Sequence, residues 1–137
     1  MSLRLSGESG EILTRLQRSF RLAERPPLLR LALAVGIREA SDELPDGPTN
    51  SKGPEIPVRV MTAGNELLFD TLLLERFRGL SSPLEGTEKH RAYKTLGDSG
   101  LSWLARDYEA KGSPPDYLAQ LAESYLRPAE SPVVGTS

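Results

Sequence analysis

The 137-residue chain carries 17 basic and 19 acidic residues, a net charge of −2, with 38% hydrophobic and 26% charged residues. This is the composition of one soluble domain with a modest core, since two independent domains would each be short of buried surface. The absence of cysteine excludes disulfides, thiol catalysis and thiolate metal sites, and a single histidine excludes a histidine metal cluster within one chain.

The net charge hides a division along the chain. Residues 1–40 hold seven arginines against four glutamates, a balance of +3, and the remainder holds ten basic and fifteen acidic residues, a balance of −5. A sequence pI near 5.5 argues against a general nucleic-acid binder, so any contact with DNA must use a local patch or one assembled across subunits. No secretory pattern opens the chain and no run approaches the roughly 18 apolar residues of a membrane span. A cytoplasmic protein without membrane contact is expected.

Residues Met1 to Ser6 alternate, with Leu3 and Leu5 on one side and Arg4 between them, the period of a half-buried strand. A first helix is predicted from about Ser9 to Leu22. Ile12, Leu13, Leu16 and Phe20 fall on one face, and Arg15, Arg18, Arg21 and, just beyond, Arg25 project on the opposite one. Such a face is commonly no more than a solvated surface. Here no acidic residue interrupts it between Thr14 and Ala23, and guanidinium groups in a row suit successive phosphates.

Glu24-Arg25-Pro26-Pro27 ends that helix, and either proline suits the first turn of the next, predicted to run to about Ser41. Leu28, Leu29, Leu31, Leu33, Val35 and Ile37 make it apolar on nearly all sides, so it must be covered on nearly all sides. Either a partner subunit covers it or it is the central helix of a monomer. The order of strand, basic helix, proline turn and apolar helix is that of a ribbon-helix-helix unit.

Ser41 to Pro57, with four prolines, reads as a long functional or mobile loop, and Ile56–Met61 as a short edge strand. A third helix is predicted over 65–80, with Leu67, Leu68, Leu72, Leu73 and Phe77 inward and the carboxylates Glu66 and Asp70 solubilising its surface. A helix from Thr87 is expected to break at Gly97-Asp98-Ser99-Gly100 before another reaches Gly112. Lys89, His90, Arg91 and Lys94 form a second basic cluster, and His90 reads as structural. Pro114-Pro115 opens a last helix with a Tyr117, Leu118, Leu121, Tyr125 stripe. Residues 1–127 are read as one helical domain and 128–137 as a disordered tail.

No catalytic constellation competes with this reading. There is no G-x-S-x-G elbow, and the glycine-framed Gly7-Glu8-Ser9-Gly10 and Gly97-Asp98-Ser99-Gly100 lack the lysine and spacing of a phosphate loop. No enzyme activity, metal or cofactor is expected.

The opening RLSGESGEILTRLQRSFRLAERPPLLRLALAVGI, with its Arg30-Leu31-Ala32 segment, resembles the start of the DndE family of bacterial DNA phosphorothioation systems. TAGNELLFDTLLLERF is similar to that family's second block and EKHRAYKTLGDSGLSWLA to its closing segment, so that the likeness spans about residues 3–106. The resemblance implies a mainly α protein with a ribbon-helix-helix-like N-terminal core and additional C-terminal helices. It further implies a homo-oligomer that binds duplex DNA through a basic face, with a preference for nicks, beside the other subunits of a sulfur-modification complex.

The expected DNA-binding residues are therefore Arg4, Arg15, Arg18, Arg21 and Arg25, acting through the backbone with little sequence preference. A ribbon-helix-helix repressor or antitoxin, reading bases through Arg4, is the alternative. A pure protein-interaction subunit is the third class.

Overall fold

The computed structural model describes residues 2–40 and 50–125, apart from 63, 78, 81 and 83. The expected disordered tail and most of the expected loop, residues 41–49, lie outside the described residues. The fold is mainly helical with a small antiparallel sheet: β1 (Ser2–Arg4), α1 (Gly7–Ser19), α2 (Pro26–Glu39), β2 (Glu55–Pro57), α3 (Val58–Met61), α4 (Glu66–Arg76), α5 (Gly86–Ala110) and α6 (Tyr117–Tyr125).

β1 forms where alternation predicted it, with Leu3 and Leu5 buried. Its partner is β2 of the same chain, in the register Ser2↔Pro57, Leu3↔Ile56 and Arg4↔Glu55. The segment expected as a strand over 56–61 is divided: Pro57 ends β2, and Val58 to Met61 make the single helical turn α3.

α1 begins two residues earlier than expected because Ser6, in extended conformation, caps it by accepting the Ser9 N–H at 3.0 Å. It ends at Ser19 in a Schellman turn, the Arg21 N–H reaching the Arg18 carbonyl and the Leu22 N–H the Gln17 carbonyl. Arg21 occupies the left-handed position of that turn, at φ 56°, where glycine is the unstrained choice. Phe20 packs edge-on to Tyr108 and parallel to Tyr117, which ties the end of α1 to α5 and α6.

α2 is the hub. Leu28, Leu29 and every residue from Leu31 to Ile37 are buried, with α5 as principal cover and α3, α4 and α6 around the rest. Each large side chain so buried is worth roughly 1.5–3 kcal/mol. Its own chain covers this helix, so the apolar surface calls for no partner subunit.

The clearest departure from expectation is α5. The Gly97-Asp98-Ser99-Gly100 stretch does not break it; one helix runs unbroken from Gly86 to Ala110. The glycines serve a helix crossing instead. A Cβ on Gly100 would stand 1.8 Å from the Ala32 carbonyl oxygen, and one on Gly36 would stand 2.0 Å from that of Leu96. Backbone meets backbone from both sides, which only residues without side chains permit. This close packing offsets the roughly 1 kcal/mol that each mid-helix glycine costs.

α4 is rotated from the expected face. Phe69, Leu73 and Phe77 are buried, whereas Leu67 and Leu68 are 80% and 45% exposed. Asp70, expected on the outward, solubilising face, lies on the inward side instead, its side chain 15% exposed.

Candidate functional site

Arg15 and Arg18 project from one face of α1, and the chain turns back sharply after Ser19. Arg25, at the start of α2, is drawn along α1 by hydrogen bonds from its Nε to the Gln17 side-chain oxygen (3.3 Å) and from its Nη2 to the Thr14 hydroxyl (3.4 Å). The three arginines line one open cleft of about 690 Å³ together with Lys52 and with Gly7, Gly10 and Gly53. Glu11 is the one carboxylate among the lining residues. No salt bridge engages Arg15, Arg18, Arg25 or Lys52 among the described residues.

The segment carrying Lys52 is fixed by a network rooted in α5. Asp98, only 6% exposed, accepts the Ser6 N–H at 3.1 Å and the Ser9 hydroxyl at 2.5 Å, and pairs with Lys94 at 3.3 Å. Lys94 in turn donates to the Asn50 carbonyl at 2.7 Å. The Asn50 side-chain oxygen accepts the N–H groups of Gly7 (2.9 Å) and Lys52 (3.0 Å). Further along, the Gly53 N–H bonds the Leu5 carbonyl and the Leu5 N–H bonds the Pro54 carbonyl. Gly53 lies so close to β1 that a Cβ there would stand 2.1 Å from the Ser6 oxygen. One buried carboxylate thus holds the start of α1 and, through Lys94 and Asn50, the strap that bears Lys52.

Of the expected residues, Arg15, Arg18 and Arg25 come together and two stand apart. Arg4 is engaged by the Gly53 carbonyl (3.0 Å) and by Glu55 (3.0 Å) across the β1–β2 pair. Arg21 is exposed but sits in the turn that ends α1, and it does not line the cleft. Lys52 and the positioning pair Asp98 and Lys94 were missed. Lys52 lies 27 residues beyond Arg25 in a segment without periodicity, so only the fold brings it to α1.

In the second basic cluster Lys89 and Lys94 are engaged internally, while Arg91 is exposed. Lys89 is clamped by Glu66 and by Asp70 at 3.0 Å, and Asp70 also accepts the Tyr93 hydroxyl at 2.7 Å. Burial alone would lower the Lys89 ammonium, but its hydrogen bonds to Glu66 and Asp70 outweigh that and hold it above its usual value. Burial and the neighbouring Asp70 push the Tyr93 phenol far up. The Glu66 and Asp70 pair is therefore a lysine clamp that joins α4 to α5, not a solubilising surface. His90 is half-buried, and its buried Nε2 has no hydrogen-bond partner among the described residues. Among the described residues no group of three or more His, Asp or Glu is arranged to hold a metal ion, and no helix is long and apolar enough to cross a membrane.

No family model matches the chain, and no curated protein or solved structure does either.

Proposed function

We propose that the protein is a non-catalytic DNA-binding subunit that engages the sugar–phosphate backbone of duplex DNA through the Arg15–Arg18–Arg25–Lys52 cleft. The observation that carries this reading is four cations converging on one open cleft without a salt-bridge partner among the described residues. Cations held this way keep their full charge for an external polyanion, and arginine suits bidentate phosphate contacts. Phosphate contacts position a protein without specifying sequence, so little base preference is expected. The resemblance to the DndE family supplies the context: a bacterial phosphorothioate modification system, with separate sulfur-transfer subunits as partners and a homo-oligomer repeating the cleft by symmetry.

The β1–α1–α2 order also suits a ribbon-helix-helix repressor or antitoxin. That reading needs a strand free to pair with its copy and an arginine free to reach bases. β1 is paired with β2, and Arg4 is held by Glu55 and Gly53, so the backbone-binding reading is the better supported.

Replacing Arg15, Arg18 and Arg25 together with glutamine tests it by fluorescence anisotropy on a labelled duplex at low salt. The loss of three phosphate contacts is expected to weaken binding on the order of 100-fold or more while the thermal transition stays in place. Unchanged affinity contradicts the proposal. Absence of binding by the unaltered protein at low salt removes both DNA readings and leaves a protein-interaction subunit.

A further inference from the structure

Lys52 lines the arginine cleft from a stretch of backbone that belongs to no helix or strand. A cation on such a stretch adds to binding only as far as its place is fixed beforehand, because ordering left to the moment of contact is subtracted from affinity. Here α1 and α5 do the fixing. The Gly7 N–H, in the first turn of α1, has no acceptor within its own helix. It donates to the Asn50 side-chain oxygen at 2.9 Å, and the Lys52 N–H donates to the same oxygen at 3.0 Å. Lys94 of α5 donates to the Asn50 carbonyl at 2.7 Å. Lys52 is thereby laid directly against the start of α1, where a Cβ on Gly7 would touch the Lys52 Cβ at 3.5 Å.

Asn50 does not line the cleft and carries no charge. Its amide oxygen has two lone pairs, and both are used, one on each of the segments to be joined. A carboxylate could accept the same two N–H groups, but it would set a negative charge beside the phosphates. Lys94, with a side chain only 16% exposed and paired with Asp98, reaches the Asn50 backbone and not the cleft.

We infer that Asn50 is a positioning residue for DNA binding: by joining the start of α1 to the backbone of Lys52 it sets Lys52 among the arginines, and so fixes how many phosphates the cleft engages. This rests on the backbone-binding reading above. Lys94 acts through Asn50, without touching DNA.

The test is a double-mutant cycle of Asn50→Gly and Lys52→Gln, read by anisotropy on a labelled duplex at 50 and 200 mM salt. Asn50→Gly removes the shared oxygen and frees the backbone while changing no charge, so a merely structural role would leave the salt dependence as it was. Lys52→Gln is expected to weaken binding about five- to tenfold at 50 mM and to make the log–log salt slope about 0.9 shallower, the loss of one phosphate contact. Asn50→Gly is expected to move affinity and slope in the same way, and Lys52→Gln added to it should cost less than about twofold more. Arg15→Gln in the Asn50→Gly background should still cost its full factor. The bonds that Asn50→Gly removes lie at the surface, so its thermal transition is expected to stay close to that of the unaltered protein. Asn50→Gly with unchanged slope overturns the inference, as does a Lys52→Gln cost that is undiminished in its background or a Lys52→Gln variant that binds normally; DNA binding by the arginines then survives. Failure of the unaltered protein to bind at 50 mM overturns the underlying reading instead.

Discussion

The chain has two basic clusters of similar density, one along α1 and one at the start of α5, and the fold treats them in opposite ways. Arg15 and Arg18 face a cleft with no salt bridge among the described residues, whereas Lys89 and Lys94 are each locked to carboxylates. The difference lies in what packs opposite. α4 brings Glu66 and Asp70 onto Lys89, and Asp98, one turn beyond Lys94 on the same helix, is committed to the cap of α1. Cationic residues in a sequence predict potential; the elements packed against them decide whether that potential reaches solvent.

Breaking the inner cluster should cost stability, and breaking the outer one should not. Asp98→Ala is expected to have the largest effect, about 3 kcal/mol, because it leaves the buried Ser6 N–H and Ser9 hydroxyl without their acceptor and removes the carboxylate paired with Lys94. Urea denaturation reads the loss, and hydrogen exchange at Lys52 and Gly53 reads whether the strap loosens with it.

Lys89→Met sharpens the contrast directly. It leaves Asp70 and Glu66 side by side without their cation, for an expected loss of about 2 kcal/mol, moderated by the exposure of Glu66. The matched change Arg15→Met is expected to move stability by no more than about 0.5 kcal/mol while weakening DNA binding. Equal losses from the two would erase the distinction between clusters.

Alkali separates them again. Lys89 is held above its ordinary value of 10.5, so its contribution is complete below that pH and fades as pH climbs through the raised value. The stability gap between the natural protein and Lys89→Met should therefore narrow as pH rises above 10.5. A constant gap would mean the ion pair is not its source.

The smallest effect concerns Arg21. Glycine fits its left-handed backbone without strain, so Arg21→Gly is expected to stabilise the fold by about 0.5–1 kcal/mol. Since Arg21 lies outside the cleft, DNA affinity should hardly change. A loss as large as that of Arg15→Met would place it in the binding face after all.

Local signals were legible and long-range ones were not. The period of Leu3 and Leu5, the apolar face of Ile12, Leu13 and Leu16, and the prolines opening α2 all report contacts made within a few residues, and the elements formed there. Gly97 and Gly100 misled because glycine in sequence signals a break, while here Gly100 answers to the Ala32 backbone in α2 and Gly97 to the Met61 side chain in α3, each more than thirty positions away. Leu67 and Leu68 misled similarly: spacing alone does not fix helix rotation when Asp70 must turn inward to meet Lys89. Three of the five expected site arginines share the cleft because they lie on one helix and the turn that follows it. Lys52 carried no local signal, and Arg4 was lost to a carboxylate that only the β1–β2 register brings opposite.

The most direct test of the account follows the arginine Nε–H and backbone amide resonances during titration with duplex DNA. Shifts concentrated at Arg15, Arg18, Arg25 and the amides of Lys52 and Gly53, with Lys89 and Lys94 silent, are the predicted result. Shifts centred on the first half of α5 or on the exposed Leu67–Leu68 surface, with the cleft unmoved, would contradict it.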